Sequence, residues 1–432
     1  MLDKEANNSA APIIEISKKV AVIAWILAAT CYFYQYVLRS SPSVMMPQLS
    51  AAFGVSATAV ASIVGFFYYG YAPFSLLAGA AMDRIGPKIL VPLAAGLMAL
   101  GAVLFGLGDP GIASLGRFLQ GTGGAFAAVG AMYISAKYFP PSVAATLMGA
   151  TQMFGMAGGS AGQFAVGPMI SGGLKWSYFW FGLGAIAIVF GVVLAIILPS
   201  RERTDTRVGL IKSSFSSIKI VLLNPQSLLC GAISGFLFLP TTIFDMIWGV
   251  RFLQESHGLD YGSAVMRSAA VPLGWIIGCP LLGFISDRLG RRKPVIIGGA
   301  VVLFGCIAWI LYGPANVLPP FTLALIAGIA SGSAILPYTV IKEANPPEVA
   351  GTATGAVNGL NFTFSALLGP VFGWILLAVS GGAPEMQLSH YQSAFTPLLF
   401  GIIVAIILTL ILRETGTAIS RTPTVTPEEV FV

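Results

Sequence analysis

The chain has few charged side chains. Only 9% of its 432 residues are Asp, Glu, Lys or Arg, whereas a soluble globular domain carries about 25%. So few charges cannot cover a water-exposed surface, and most of the surface must therefore face lipid. Apolar residues make up 56% of the sequence. They form long runs without a period-2 alternation, which argues against a membrane β-barrel.

Cysteine and histidine are also scarce. The four cysteines lie inside apolar runs, which predicts small buried residues rather than disulfides or metal ligands. His257 and His390 fall between apolar runs, so we expect neither to relay protons. The sequence shows no nucleotide-binding loop, metal-ligand cluster or nucleophile constellation. We therefore expect a protein that is not an enzyme and uses no cofactor.

Twelve apolar stretches are each long enough to cross a bilayer as a helix, which takes about 20 residues. They are 20–46, 56–81, 89–108, 113–136, 143–171, 177–198, 225–253, 261–285, 294–313, 318–341, 350–378 and 392–412. We predict an all-α membrane protein with twelve transmembrane helices. The first stretch is too long for a signal peptide and lacks a small-residue cleavage site, so we interpret it as a retained helix.

The distribution of basic residues predicts an orientation. With both termini on the cytoplasmic side, all 23 lysines and arginines fall on that side except Arg39, Arg117, Lys175, Arg251 and Arg267. This asymmetry is the positive-inside rule. The net charge of +6 therefore reflects contact with an anionic lipid leaflet, and we expect no nucleic-acid partner. Short external loops fit a bacterial inner membrane.

The sequence contains an internal repeat. Residues 79–88 (GAAMDRIGPK) and 283–292 (GFISDRLGRR) share Gly, Asp, Arg and Gly at the same spacing. Residues 140–149 and 346–355 repeat in the same order, each beginning with two prolines. We predict two pseudo-symmetric six-helix bundles. The predicted divisions are an N-terminal segment 1–19, a first bundle 20–198, a cytoplasmic linker 199–224, a second bundle 225–413 and a cytoplasmic tail 414–432.

The repeated Gly-x-x-x-Asp-Arg-x-Gly loop resembles the signature of the major facilitator superfamily, and the resemblance extends over the whole chain. It implies a secondary transporter that works by alternating access. In that family the loop latches the cytoplasmic gate, which implies gating roles for Asp83, Arg84, Asp287 and Arg288. The alternative is that these residues only fix the orientation in the membrane.

The first helix has a narrower resemblance. Arg39 stands eight residues before Pro47, a pattern similar to that of organophosphate/phosphate antiporters and anion/cation symporters, where this arginine binds the anionic substrate. The sequence departs from both families elsewhere. Leu38 replaces the acid of the symporters, and Thr241 and Thr242 occupy the region of the second antiporter arginine. The resemblance implies an anionic substrate but not phosphate.

A charge at the depth of Arg39 predicts a functional role, because it costs at least ~2.5 kcal/mol at the bilayer centre. Tyr32, Tyr36, Arg39 and Ser43 follow one helical face, with Gln35 beside them. Such a polar face should line a water-filled cavity. Alternatively, the arginine extends toward the headgroups with a structural partner.

Asp245 is the only acidic residue deep in a predicted span. It either neutralises Arg39 until substrate displaces it or carries a coupling proton, and a purely structural ion pair is a third interpretation. Thr241 and Thr242 are candidate substrate contacts on the same helix.

Further polar residues are candidates for the substrate site. Arg117 either binds substrate or anchors the end of its helix. Gln152 and Asn358 occupy equivalent positions of the two repeats and either line the cavity or hold helices together. The second predicted helix carries three tyrosines that form either an interfacial belt or a pocket wall: Tyr68, Tyr69 and Tyr71.

Three functional hypotheses follow. The first is a monomeric transporter of a small organic anion, held by Arg39 and moved together with a proton or against a counter-anion. The second is a transporter of neutral or zwitterionic solutes, or an exporter of lipophilic compounds, in which Arg39 and Asp245 form a structural or gating pair. The third, a receptor or an enzyme within the membrane, has no supporting motif.

Overall fold

The computed structural model describes residues 17–139, 141–198, 210–314, 320–346, 349–383 and 385–416. Every regular element in these ranges is a helix, which confirms the predicted all-α class. The side chains of Asp83 and Arg84, expected to serve a gate, lie outside the described residues, as do the chain segments 1–16 and 417–432.

Twelve long helical segments and one linker helix follow the predicted stretches. Ten are long and apolar enough to cross a membrane: α1 (Lys18–Phe53), α2 (Ala57–Ile85), α3 (Pro87–Gly106), α6 (Trp176–Ile197), α7 (Pro225–His257), α8 (Tyr261–Leu289), α9 (Lys293–Tyr312), α10 (Phe321–Glu343), α11 (Ala350–Ser380) and α12 (Leu388–Ile411). The others are α4 (Pro110–Lys137), α5 (Pro141–Phe164, continued by Val166–Ser171) and the linker helix (Leu210–Leu223).

Local sequence signals set the helix ends. The side chains of Asp109 and Asp260 accept hydrogen bonds from the backbone of Ile112 (2.8 Å) and Ser263 (3.0 Å) and so cap the N-termini of α4 and α8. Gly258, with a φ of 63°, ends α7 in the left-handed region that disfavours other residues. These signals place the turns where the hydrophobic runs stop.

The helices run alternately between two faces of the molecule. We call the face that carries Lys18 and the turns at Gly86 and Gly290 the termini face. The face that carries the turns at Gly54 and Gly258 is the opposite face. Each bundle contributes six helices, and the two bundles meet along α1, α2 and α5 on one side and α7, α8 and α11 on the other.

Close backbone packing joins the two bundles. A Cβ added at Gly355 of α11 would lie 3.0 Å from the carbonyl oxygen of Ser75 on α2, so only a residue without a side chain fits well there. Between α5 and α8, the hydroxyl of Ser160 donates to the carbonyl oxygen of Ala269 at 3.0 Å. The bundles are therefore in direct contact at two crossings.

Besides a 3-10 turn at Gly332–Ile335 in α10, two helices depart from α geometry partway along their length. In α1, residues Ser41–Met45 form a 3-10 turn that contains Pro42. In α7, residues Pro240–Gly249 form a π-helix that contains Asp245. Irregular turns of this kind inside helices often mark functional sites. Both lie beside the bundle interface.

Candidate functional site

Arg39 is buried at the interface between the bundles, with 1% of its surface exposed. Aromatic rings from α1, α2 and α11 surround its guanidinium group and form what we call the aromatic cage. The distances from the guanidinium carbon to the ring centroids are 4.4 Å for Tyr36, 4.4 Å for Phe362, 5.0 Å for Phe67, 5.1 Å for Tyr71 and 5.6 Å for Tyr68. Arg39 therefore does not extend toward the headgroups.

The guanidinium group of Arg39 has the hydroxyl of Tyr71 beside it but makes no well-formed hydrogen bond with a described residue. None of its three nitrogens makes a hydrogen bond of ordinary geometry within the described part of the chain. Its titratable neighbours are tyrosines 32, 36, 68 and 71, and no ion pair between described residues includes it. Aromatic faces attract a cation, but they do not satisfy its N–H donors. Those donors are available to an anion.

Asp245 does not pair with Arg39. Its Oδ1 accepts a hydrogen bond from the hydroxyl of Ser268 on α8 at 2.8 Å, and the side chain of Gln163 on α5 also hydrogen-bonds to the carboxylate. The interpretation of the two charges as a structural ion pair, or as charges that neutralise each other, is therefore wrong for this conformation. The π-helix has more residues per turn than the α-helix assumed from the sequence. The side chain of Asp245 therefore points in a different direction from the one expected.

The predicted polar face of α1 is only partly present. Tyr32 and Tyr36 pack edge to face, with 5.2 Å between their centroids. Ser43 lies in the 3-10 turn and donates to the carbonyl oxygen of Ser40 at 2.8 Å. The single helical face predicted for Tyr32, Tyr36, Arg39 and Ser43 assumed a continuous α-helix, which the 3-10 turn interrupts before Ser43. Gln35 is fully buried, and neither its amide nitrogen nor its oxygen has a described partner.

Arg117 is buried but hydrogen-bonded. Its Nε donates to the carbonyl oxygen of Val64 at 3.2 Å, and its Nη1 donates to the carbonyl oxygen of Leu38 at 2.9 Å and to Gln120 at 2.7 Å. It thus ties α4 to α1 and α2 directly behind Arg39. Of the two roles considered for Arg117, this geometry supports the anchoring one.

Gln152 and Asn358 both bond to tyrosines near Arg39. The hydroxyl of Tyr32 donates to Gln152 at 3.1 Å. The amide nitrogen of Asn358 donates to the hydroxyls of Tyr71 at 3.3 Å and Ser75 at 3.0 Å. These two amides therefore orient ring side chains around the cage from α5 and α11, one from each bundle.

Thr241 and Thr242 are fully buried on α7. The hydroxyl of Thr241 accepts a hydrogen bond from the indole of Trp275 at 2.9 Å. The backbone oxygen of Thr242 accepts one from the hydroxyl of Tyr68 at 3.2 Å, across the bundle interface. The two threonines therefore join the π-helix of α7 to α8 and to the cage.

A cleft of about 1030 Å³ lies between the bundles at the opposite face. Ser43 lines it from α1, and Arg251, Gln254 and Glu255 line it from α7. Ser43 is four residues from Arg39, which is about 6 Å of helix. The cleft therefore reaches to within about one helical turn of Arg39.

The predicted gate in the second bundle is centred on Arg292. This side chain forms ion pairs with Asp287 and, at 2.8 Å, with Glu343 at the end of α10. Glu414 accepts hydrogen bonds from the backbone nitrogen of Arg292 at 2.6 Å. Arg288, which the sequence analysis chose, instead lies over the ring of Phe284 at 4.7 Å. The sequence motif predicted the position of this loop, but it did not predict which of the loop's basic residues forms the ion pairs.

Sequence reasoning missed several residues of the site. Phe67 and Phe362 carry no charge and lie inside predicted spans, so neither differs in its own chemistry from a core residue. Ser268, the partner of Asp245, is one of many serines in predicted spans. A search for aromatic residues one helical turn apart on α2 would have found Phe67 and Tyr71.

In the described part of the chain, twelve long helical segments in two bundles form the fold of a polytopic membrane protein. The family model described as Major Facilitator Superfamily matches residues 28–370. The chain belongs to this superfamily.

Individual relatives are more distant. The chain is 28% identical over 285 residues to a hexuronate transporter of Bacillus subtilis, covering 63% of this chain and 66% of that protein, just under two thirds of its length. It is 23% identical to a gentisate transporter of Corynebacterium glutamicum, over 76% of this chain and 75% of the relative. A bacterial homologue of the lysosomal transporter Spinster, solved in an inward-facing unoccupied state, superposes with a TM-score of 0.70 at 17% identity, covering 92% and 96% of the two chains. That likeness shows the fold.

Proposed function

We propose that the protein transports a small organic anion and that Arg39 binds the anionic group. The observation that carries this proposal is a buried guanidinium with three unpartnered nitrogens. Burial of a charge is costly unless it is paired and hydrogen-bonded. A carboxylate supplies the missing charge and accepts two parallel N–H bonds in the geometry that guanidinium groups favour.

The aromatic cage supports binding and release of that anion. Rings at 4.4 Å, such as Tyr36 and Phe362, stabilise the charge of Arg39 while no anion is bound. Because the cage offers no carboxylate within the described residues, substrate does not have to displace a protein counter-ion. The names of the hexuronate and gentisate transporters support small organic acids as the transported substrates.

Transport follows from movement of two bundles, 20–198 and 225–413, about the site. The cage takes Tyr36, Phe67, Tyr68 and Tyr71 from the first bundle and Phe362 from the second. Rocking of one bundle against the other therefore opens and closes the cage, as expected for repeat-built transporters. The linker 199–224 joins the bundles at the termini face.

A transporter of neutral solutes with a structural Arg39–Asp245 pair was the alternative. Its premise is the ion pair, and Asp245 bonds to Ser268 instead. The anion carrier is the function that these contacts support best.

The test is ligand binding by the purified full-length protein, with neutral compounds as matched ligands. We expect glucuronate and gentisate to be bound in preference to glucose and hydroquinone, which lack the carboxylate. Arg39→Met should weaken binding of the acids by roughly 100-fold, because two bonds to a charged group are worth about 1.5 kcal/mol each. Arg39→Lys should also weaken it, since a lysine cannot form the paired bonds.

Lys175→Met is the matched control, since Lys175 is an exposed cation at the start of α6. It should leave binding unchanged. Equal binding of glucose and glucuronate, or unaltered acid binding by Arg39→Met, would refute the proposal.

The orientation belongs to the same proposal, with the termini face in the cytoplasm of a bacterial cell. The four native cysteines are buried, so a membrane-impermeant maleimide should report only engineered ones. In intact cells we expect labelling of Lys175→Cys and none of Arg413→Cys. The reverse pattern would invert the assigned topology.

A further inference from the structure

A small cavity lies inside the second bundle, apart from the cleft between the bundles. Its volume is about 70 Å³, and α7, α8, α9 and α10 line it. It shares no lining residue with the cleft. At about 30 Å³ per molecule it has room for roughly two waters. Four of its lining residues are polar: Asp245, His257, Arg267 and Ser268.

The deep end of this cavity is the carboxylate of Asp245. This side chain is 3% exposed. Ser268 donates to its Oδ1 at 2.8 Å, and the side chain of Gln163 on α5 also hydrogen-bonds to the carboxylate. A carboxylate has about four acceptor sites, so these two bonds leave room for a proton on the group that lines the cavity.

The shallow end of the cavity is His257, in the last turn of α7 at the opposite face. Its ring packs edge to face on Phe252, with 5.2 Å between the centroids, and is partly exposed. Histidine changes its charge near neutral pH and so suits proton transfer. His257 is the last residue of a helix and does not lie in a loop.

The groups that face Asp245 come from every helix packed against the π-helix. His257 from α7 and Arg267 from α8 face it through the cavity. Arg39 and Tyr36 of α1 and Tyr68 of α2 lie toward the bundle interface. The cavity residues of α9 and α10, which include Trp309 and Leu323, are not titratable.

We propose that Asp245 gains and loses its proton through this cavity, with His257 as the entry group, so that the proton and the cargo follow separate routes. The proton leaves the imidazolium of His257, crosses the cavity over water, and forms the O–H bond on the Asp245 carboxylate. The imidazole becomes neutral and takes a new proton from water at the opposite face. The inference rests on the proposed transport function for its purpose, but the path itself does not depend on the cargo.

The cavity favours a proton over a metal ion. Sodium or another hard cation needs several oxygen ligands. Within the cavity only the carboxylate of Asp245 and the hydroxyl of Ser268 offer side-chain oxygens.

Infrared spectroscopy after a pH jump tests this path on the full-length protein in bilayers, without cargo. We expect a carbonyl band of the protonated carboxyl that is lost in Asp245→Asn. In His257→Gln the same band should appear more slowly, by about tenfold or more. His390→Gln is the matched control, because the other histidine of the chain lies in the first turn of α12, and it should behave as the wild type.

A second variant avoids any change to titratable groups. Ala324 lines the cavity from α10, and Ala324→Leu should fill it and slow the band as His257→Gln does. Unchanged kinetics in both variants, or a band that responds to sodium rather than to pH, would overturn the inference. Arg39→Met separates the two proposals, because it should weaken gentisate binding by roughly 100-fold and leave the Asp245 band intact.

Discussion

The ring of Phe67 lies 5.0 Å from the guanidinium carbon of Arg39 and also 5.0 Å from that of Arg117. Two buried cations thus share one aromatic side chain. Arg117 donates hydrogen bonds to backbone oxygens of α1 and α2, whereas the nitrogens of Arg39 make no well-formed hydrogen bond with a described residue. Arg117 therefore supports the structure around Arg39.

Replacing Phe67 should therefore destabilise the protein. We expect Phe67→Leu to cost about 3 kcal/mol, since it removes ring contacts to two cations and leaves a smaller side chain. The measurement is thermal unfolding in detergent followed by tryptophan fluorescence. Phe395→Leu is the control, because Phe395 is equally buried and packs on other rings, while none of the cation–π contacts between described residues includes its ring. An equal loss in the two variants would show that only packing matters at Phe67.

Gly155 on α5 should be essential for the position of two tyrosines. A Cβ there would lie 2.6 Å from Cε1 of Tyr32 and 3.0 Å from Cε2 of Tyr36. Gly155→Ala should push these rings toward Arg39 and weaken acid binding by roughly tenfold or more. Gly149→Ala on the same helix meets no atom within 4 Å and should leave binding unchanged. Wild-type affinity in Gly155→Ala would show that the tyrosines do not need this spacing.

The helical fold could be read directly from the sequence, and much of the site could not. Long apolar runs specify membrane helices, because backbone groups in lipid must bond within their own segment. Burial of Arg39 followed from its depth. The absence of an ion pair between Arg39 and Asp245 did not follow from the sequence. The 3-10 turn at Ser41–Met45 and the π-helix at Pro240–Gly249 change the directions of the side chains. Neither turn has a sequence signal beyond a proline.

Glu414 should stabilise the start of α9. Its carboxylate accepts from the backbone nitrogens of Arg292 at 2.6 Å and Lys293 at 3.2 Å, where a helix N-terminus favours negative charge. Glu414→Ala should cost about 1 kcal/mol in unfolding free energy, and Glu414→Gln should cost less because it keeps an acceptor. The exposed Glu385 serves as the control residue, since Glu385→Ala should change little. Unaltered stability in Glu414→Ala would remove the capping role.

Asp260 predicts a pH dependence at the start of α8. Hydrogen bonds from Ser263 hold the pKa of its carboxyl below the ordinary value. A lowered pKa in the folded state means that the stabilisation is present above the unfolded-state pKa of about 3.9 and is lost as the pH falls through the folded value. The melting temperature of the wild type should therefore drop more in acid than that of Asp260→Asn. Identical acid sensitivity would contradict this.

The wide coil of α7 gives that helix a way to move without bending. Residues Pro240–Gly249 hold one more residue per hydrogen-bonded ring than an α-helix does. If one such ring tightened to α geometry, the rest of the helix would advance by about 1.5 Å and turn by roughly 100° like a screw. Thr242 and Asp245 both lie in this π-helical segment. A single change of pitch would therefore move Thr242, the partner of Tyr68, and the carboxylate of Asp245 together.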